Sequence, residues 1–182
     1  MTHASVAQSD AGLVAIVDLP LDDFETGLLS VIRHHLDALN CPESQAWHRA
    51  YTIATEQWGD AIGFPAAHLL ARFLKYVMKL RGGSFDYADP FGEHRKDWLS
   101  SDEAALLLVL HHMRRDNTSA ARKTVEQLTQ GWMDPDVIRS GLTFANRFPA
   151  GQMRPLHKDE RPKLRVVSSA KPKSACQQDG AG

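Results

Sequence analysis

Two pairs of adjacent histidines are the residues of this chain with the clearest capacity for chemistry. His34-His35 and His111-His112 each fall near the C-terminal part of a stretch with helical periodicity. One imidazole from each of two helices could hold a metal ion or an axial position of a haem. Adjacent side chains point about 100° apart on a helix, so only one histidine of each pair can face a shared site. The candidate metal ligands are His35, His111 and His112.

The spacing of these histidines favours a simpler interpretation. The chain contains no His-x-x-x-His, Glu-x-x-His or HExxH pattern, which would place two ligands on one helix face. Histidines near a helix C-terminus are stabilised by the helix dipole and by the unpaired carbonyl groups there. Both pairs are explained in this way without a ligand, and we expect no cofactor.

Motifs of nucleophilic catalysis and nucleotide binding are missing. The sequence has no G-x-S-x-G, Walker A or G-x-G-x-x-G pattern. Cys41 has His34, His35 and His48 nearby in sequence, but a lone cysteine before Pro42 at a predicted helix end is more often a small packing residue. We assign no catalytic residue, and the sequence predicts a protein that is not an enzyme.

Hydrophobic periodicity predicts an all-α fold. Apolar residues three and four positions apart, bounded by capping residues, proline and glycine, predict helices over 22–40, 43–58, 65–81, 100–115, 119–130 and 134–148. Strand signals are nearly absent, although Leu13–Val17 is expected to form a short extended segment on the core. Residues 84–99 are predicted to be a loop whose aromatic residues pack against the rest of the fold.

The helix over about 100–115 is expected to lie at the centre of the fold. Ser100-x-x-Glu103 is a capping box, which marks its start. Ala104 to Leu110 are all apolar and leave the helix no polar face, so it must be buried. The prediction is a single bundle of about five main helices around this buried helix, with His111-His112 at its polar end.

The two ends of the chain differ in charge from the middle. Residues 1–32 contain five acids and no lysine or arginine, and 1–20 are predicted to be a flexible acidic segment. Residues 21–149 are the predicted helical domain. Residues 150–182 contain seven bases and three acids, and they are too poor in apolar residues to offset the entropy of ordering. They are predicted to be a disordered basic tail.

One short apolar segment interrupts this tail and is the predicted partner-binding site. It consists of Lys163, Leu164, Arg165, Val166 and Val167, and could become ordered on another protein. The leading functional interpretation is a non-enzymatic regulatory or adaptor protein that acts through protein–protein contacts. The partner is another protein, whose identity the sequence does not give.

Two alternatives stay open. The first is a DNA-binding transcriptional regulator that uses the helix over 134–147, with Arg139, Thr143, Asn146 and Arg147, together with the basic tail. The GWMDP break before this helix is longer than a usual helix-turn-helix turn. The second alternative is a histidine-ligated metal or haem-binding protein.

Composition also limits which other classes of protein are compatible with the sequence. The formal net charge of −1 gives no overall attraction to nucleic acid or to an anionic membrane, although a local basic surface could still bind nucleic acid. No apolar run approaches the roughly 18 residues of a membrane-spanning helix, and no signal-peptide core is recognisable. The sequence predicts a cytoplasmic protein with no membrane partner.

Overall fold

A computed structural model of the chain describes residues 13–90 and 97–151. Within these ranges the protein is an all-α bundle with a single two-stranded sheet, which confirms the predicted fold class. The helices are α1 (Asp23–Asn40), α2 (Ala46–Trp58), α3 (Asp60–Arg81), α4 (Ser101–Arg114), α5 (Thr118–Leu128) and α6 (Pro135–Arg147). Short 3₁₀ turns cover Ile16–Asp18, Pro42–Ser44 and Gly82–Ser84.

Helix α4 is buried, as its unbroken apolar run predicts. Leu106, Leu107 and Leu110 have no exposed surface. The helix packs on α1, α5 and α6, while α3 packs on α1, α2 and α6. Helix α1 shares the interior with α4, because Phe24 and Ile32 are also fully buried.

Both interior helices begin with a capping box. The predicted box of α4 is present: the Glu103 amide donates to Ser100 Oγ at 3.0 Å and the Ser100 amide donates to Glu103 Oε2 at 2.9 Å. Helix α1 has an equivalent box, in which the Glu25 amide donates to Asp22 Oδ1 and the Asp22 amide donates to Glu25 Oε2. Each box satisfies two backbone amides that a helix start otherwise leaves unpaired.

The start of the third helix differs from the prediction. We expected it at Pro65, but α3 begins at Asp60 and contains Pro65 in its second turn. Gly59, with a φ of 73°, makes the turn from α2 to α3. A Cβ on Gly63 would lie 2.4 Å from the Ala54 carbonyl oxygen of α2, so glycine is needed here for close helix packing and not as a helix break.

The extended segment expected over Leu13–Val17 is present only in part: Val14 and Ala15 form a strand, whereas Ile16 and Val17 belong to a 3₁₀ turn and Val17 is 85% exposed. Strand β1 (Val14–Ala15) pairs antiparallel with β2 (Trp98–Leu99), and Val14 lies opposite Leu99. Phe85 and Ala88 are buried, so the described part of the loop before β2 packs down as predicted.

The flexible N-terminal segment was predicted for residues 1–20 and the disordered tail for residues 150–182. Of these, 1–12 and 152–182 lie outside the described residues, whereas 13–20 contain strand β1 and the first 3₁₀ turn. The last described residues are fixed to α4, because the Ala150 amide donates to the Arg114 carbonyl oxygen at 3.3 Å. Every helix in the described part of the chain is too short or too polar to cross a membrane.

Candidate functional site

The described surface has an apolar groove between the C-terminal end of α4 and helices α5 and α6. We call it the α4–α6 groove, and its volume is about 190 Å³. Its apolar lining consists of Met113, Ala121, Val125, Met133, Ile138 and Leu142, and its polar lining of His112, Asp116, Asn117, Thr118 and Arg122. Most of its accessible wall is therefore hydrocarbon and thioether, with polar groups at the turn between α4 and α5.

Local sequence signals build the two walls of the groove. Asp116 adopts a left-handed conformation (φ 52°) after α4, and the Asn117 side chain accepts from the Ala120 amide to start α5. Helix α5 thereby folds back onto α4. On the other side, Asp134 caps α6 by accepting from the Asp136 and Val137 amides. The groove therefore depends on the N-caps of two consecutive helices, Asn117 of α5 and Asp134 of α6.

Two of the residues that line the groove are large and exposed: Leu142 is 42% exposed and Met133 is 41% exposed. Trp132, which precedes Met133 in sequence but is not among the lining residues, is 68% exposed. The backbone that presents Trp132 is held in place, because Thr129 Oγ1 donates to the Trp132 carbonyl oxygen. A cluster of exposed apolar residues beside an apolar groove is typical of a binding surface, whereas single exposed apolar residues are ordinary.

The charged and titratable groups of the groove are few. Burial lowers the pKa of His112, and the neighbouring His111 and Arg115 lower it further, against the opposing effect of Glu25. Its imidazole is therefore more strongly neutral at physiological pH than an isolated histidine. Arg122 makes no ion pair with any described residue, which leaves a cation available at the groove wall.

The four candidate nucleic-acid residues lie along the exposed side of α6. Arg139, Thr143, Asn146 and Arg147 are all exposed. Arg139 is paired with Asp136 at 3.2 Å, and Thr143 Oγ1 donates to the Arg139 carbonyl oxygen. The first three residues line a shallow depression that also includes apolar Leu142, so this face mixes basic, neutral and apolar groups.

The candidate metal ligands do not come together. His111 Nδ1 lies 3.0 Å from Glu25 Oε2 near the start of α1, whereas His35 is ten residues later on α1, which corresponds to about 15 Å along the helix axis. His112 lines the α4–α6 groove. Among residues 13–90 and 97–151, no three His, Cys, Asp or Glu side chains are placed to hold a metal ion.

His111, which we expected at the polar end of α4, is buried. It is 6% exposed and belongs to a buried charge network centred on Glu25, which has no exposed surface. Arg114 and Arg115 each donate to Glu25 Oε1, at 2.5 and 2.6 Å. Arg114 also lies 4.9 Å above the ring centre of Phe24.

The charge state of Glu25 follows from this network. Burial alone would raise the pKa of Glu25, but the Asp22 amide, His111, Arg115 and Arg114 together hold it below its ordinary value. The carboxylate is therefore ionised at neutral pH. All the side chains that pair with Glu25 belong to this chain, and together they link the start of α1 to the end of α4.

Sequence reasoning did not find the α4–α6 groove. Its strongest local signal is the sequence Trp132-Met133 between two helices, where two large apolar residues follow Gly131 outside any helical pattern. The predicted partner-binding residues of the tail, Lys163 to Val167, lie outside the described residues.

Compared with known proteins, the chain matches no protein-family model, no curated protein and no solved structure.

Proposed function

We propose that this protein is a non-enzymatic adaptor or regulator in the cytoplasm that binds an amphipathic helix of another protein in the α4–α6 groove. The observation that carries this proposal is the exposure of two apolar lining residues of the groove, Met133 and Leu142, with the exposed Trp132 next to Met133 in sequence. Helix-in-groove recognition uses apolar side chains three to four residues apart, and tryptophan is enriched among the residues that dominate such binding.

The composition of the groove also specifies the partner. Met113 and Met133 are flexible and polarizable, so they can adapt to different apolar side chains. Arg122 offers a cation at the wall without an ion-pair partner among the described residues. The partner helix would therefore carry leucine-like residues on one face and a carboxylate beside them that pairs with Arg122.

The tail supplies a second contact in this proposal. Ala150 is bonded to the carbonyl of Arg114, near the groove-lining residues Met113 and Asp116. The segment Lys163–Val167 begins twelve residues after Gly151, within reach of a partner bound in the groove. A second weak contact on the same chain raises the overall affinity through effective concentration.

A displayed library of helical peptides, selected on the full-length protein, tests the groove. We expect selected peptides with apolar residues at i, i+3 or i+4 and i+7 and an adjacent Asp or Glu. Leu142→Asp should weaken their binding at least tenfold, because it places a carboxylate on the apolar wall. Arg72→Glu is the matched control, since Arg72 is exposed on α3 outside the groove lining, and it should leave binding unchanged.

Two outcomes would contradict the proposal. Peptides that bind wild type and Leu142→Asp equally would place recognition elsewhere. Duplex DNA binding that falls with salt and is weakened more by Arg139→Ala with Arg147→Ala than by Leu142→Asp would instead support the DNA-binding alternative. In the full chain, serine substitutions at Leu164, Val166 and Val167 measure the contribution of the tail.

A further inference from the structure

A second pocket lies away from the α4–α6 groove, where α1, α2 and α3 meet. We call it the His35 pocket, and its volume is about 330 Å³. It is lined by His35, Ala38, Leu39, Trp47, Tyr51 and Ala71. Apart from the imidazole and the polar tips of the two aromatic residues, its walls are hydrocarbon, and no lysine, arginine, aspartate or glutamate lines it.

The walls of the His35 pocket form an aromatic cluster. The His35 and Tyr51 rings meet edge to face, with centroids 5.7 Å apart and an interplanar angle of 86°. Tyr51 also meets Trp47 edge to face at 6.4 Å. On its outer side Trp47 stacks on His48 and is 45% exposed, so it is the wall side chain with the most room to move. Such walls favour a flat apolar ligand.

His35 contributes an unused hydrogen-bond acceptor to this pocket. The residue is 4% exposed, and its Nε2 is buried without a hydrogen-bond partner among the described residues. The ring also has a hydrogen bond with the backbone of Ala67. Because Nε2 has no partner among the described residues, we assign the ring hydrogen to Nδ1 and the lone pair to Nε2. Burial lowers the pKa of His35 to about 4, and the ring is therefore neutral at physiological pH.

We propose that the His35 pocket binds a small, uncharged aromatic molecule that carries one N–H or O–H donor, with His35 Nε2 as the acceptor. The aromatic walls select a flat ring, and the absence of charged lining residues disfavours an ion. The buried lone pair selects a ligand that can donate, because a site with a buried acceptor rejects an analogue without the donor. Nε2 is covered in this structure, so binding requires a wall side chain to move when the ligand enters.

Indole and 1-methylindole are a matched pair of probes for this assignment, since they share ring and shape but only indole carries an N–H donor. We expect amide NMR titrations of the full-length protein to show saturable binding of indole, with shifts centred on α1 and α2 around the pocket. 1-Methylindole should bind at least fivefold more weakly. This comparison uses the wild-type protein alone and does not depend on the folding of any variant.

Two variants test the hydrogen-bond acceptor and the cavity separately. His35→Phe retains a ring but removes the acceptor, and it should abolish the preference for indole over 1-methylindole. Ala71→Leu fills the pocket from a half-buried position and should weaken both probes at least tenfold, while Leu142→Ala in the α4–α6 groove should change neither. Equal binding of the two probes to wild type, wild-type affinity in Ala71→Leu, or no saturation of indole would each overturn the proposal.

Discussion

Glu25 and Glu103 occupy the same position, the third residue of the helix and the last of its capping box, in two antiparallel interior helices, and each binds an arginine of the other helix. Glu25 of α1 pairs with Arg114 near the end of α4, and Glu103 of α4 pairs with Arg33 of α1 at 2.7 Å. All four side chains are nearly or fully buried. The residues that start α1 and α4 therefore also fix the register between the two helices.

Removing one member of these pairs should be costly. We expect Glu25→Ala to lower the free energy of unfolding by about 3–5 kcal/mol, because it leaves the buried Arg114 without its closest carboxylate. Urea unfolding measures this loss. Arg139→Ala removes an exposed pair with Asp136 and should cost less than about 0.5 kcal/mol. Equal losses in the two variants would mean that burial of the Glu25 pair has no energetic consequence.

Stability should decrease in mild acid because of His35. Its pKa is about 4 in the folded protein and near 6.5 in the unfolded chain, so the unfolded chain binds the proton first as the pH falls. The loss starts near pH 6.5, levels off near pH 4 and amounts to about 3 kcal/mol. His112, whose pKa is also lowered, acts in the same direction, while the low pKa of Glu25 confines its own effect to pH below about 4.5.

Urea unfolding between pH 5 and 8 checks this dependence. The His35→Phe variant should show a clearly smaller slope of unfolding free energy against pH than wild type, because it removes the group whose pKa is lowered to about 4. Burial is the main cause of the low pKa of His35 and the adjacent His34 is a smaller one; His34 remains in the variant. An unchanged slope would contradict the assignment.

Gly63→Ala should destabilise the protein, although glycine to alanine at an unhindered helix position stabilises by about 0.5–1 kcal/mol. The added Cβ would meet the Ala54 backbone, which cannot move aside, and we expect a loss of about 1–3 kcal/mol. Gly141→Ala is the control, because its Cβ would first meet the sulfur of Met113, a flexible side chain, at 2.7 Å. Thermal unfolding should rank Gly63→Ala as the less stable variant.

Ser100→Ala should cost about 1 kcal/mol through the lost cap of α4. Ser100 Oγ also donates to the Asp86 carbonyl oxygen at 2.6 Å, so the substitution loosens the segment before β2 as well. Ser101→Ala, at the exposed neighbouring position, should change the unfolding free energy by less than about 0.5 kcal/mol. Similar effects of the two substitutions would show that the cap contributes little.

The sequence predicted those features that depend on neighbouring residues. The capping box at Ser100, the burial of Ala104 to Leu110 and the proline start of α6 are all local patterns, and the structure contains each of them. The predicted start of α3 was wrong because Gly63 lies inside the helix and packs closely on α2. The sequence pattern alone does not show which glycine ends a helix and which allows two helices to approach each other.

The environments of the histidines could not be predicted in this way. His111 lies 86 positions from Glu25 in sequence, and His35 lines a pocket made by three helices. The α4–α6 groove likewise depends on how α5 and α6 fold onto α4. In each case the chemistry is decided by residues that are distant in sequence, and the local pattern only shows that a polar group is present.

The bond between the Ala150 amide and the Arg114 carbonyl has a practical consequence for handling the protein. The described chain enters at β1, beside the first turn of α4, and leaves at the opposite end of this 14-residue helix, about 20 Å away and on the side of the α4–α6 groove. A fluorophore placed at Gly151 would therefore lie next to the groove. One placed at Leu13 would lie near the other end of α4.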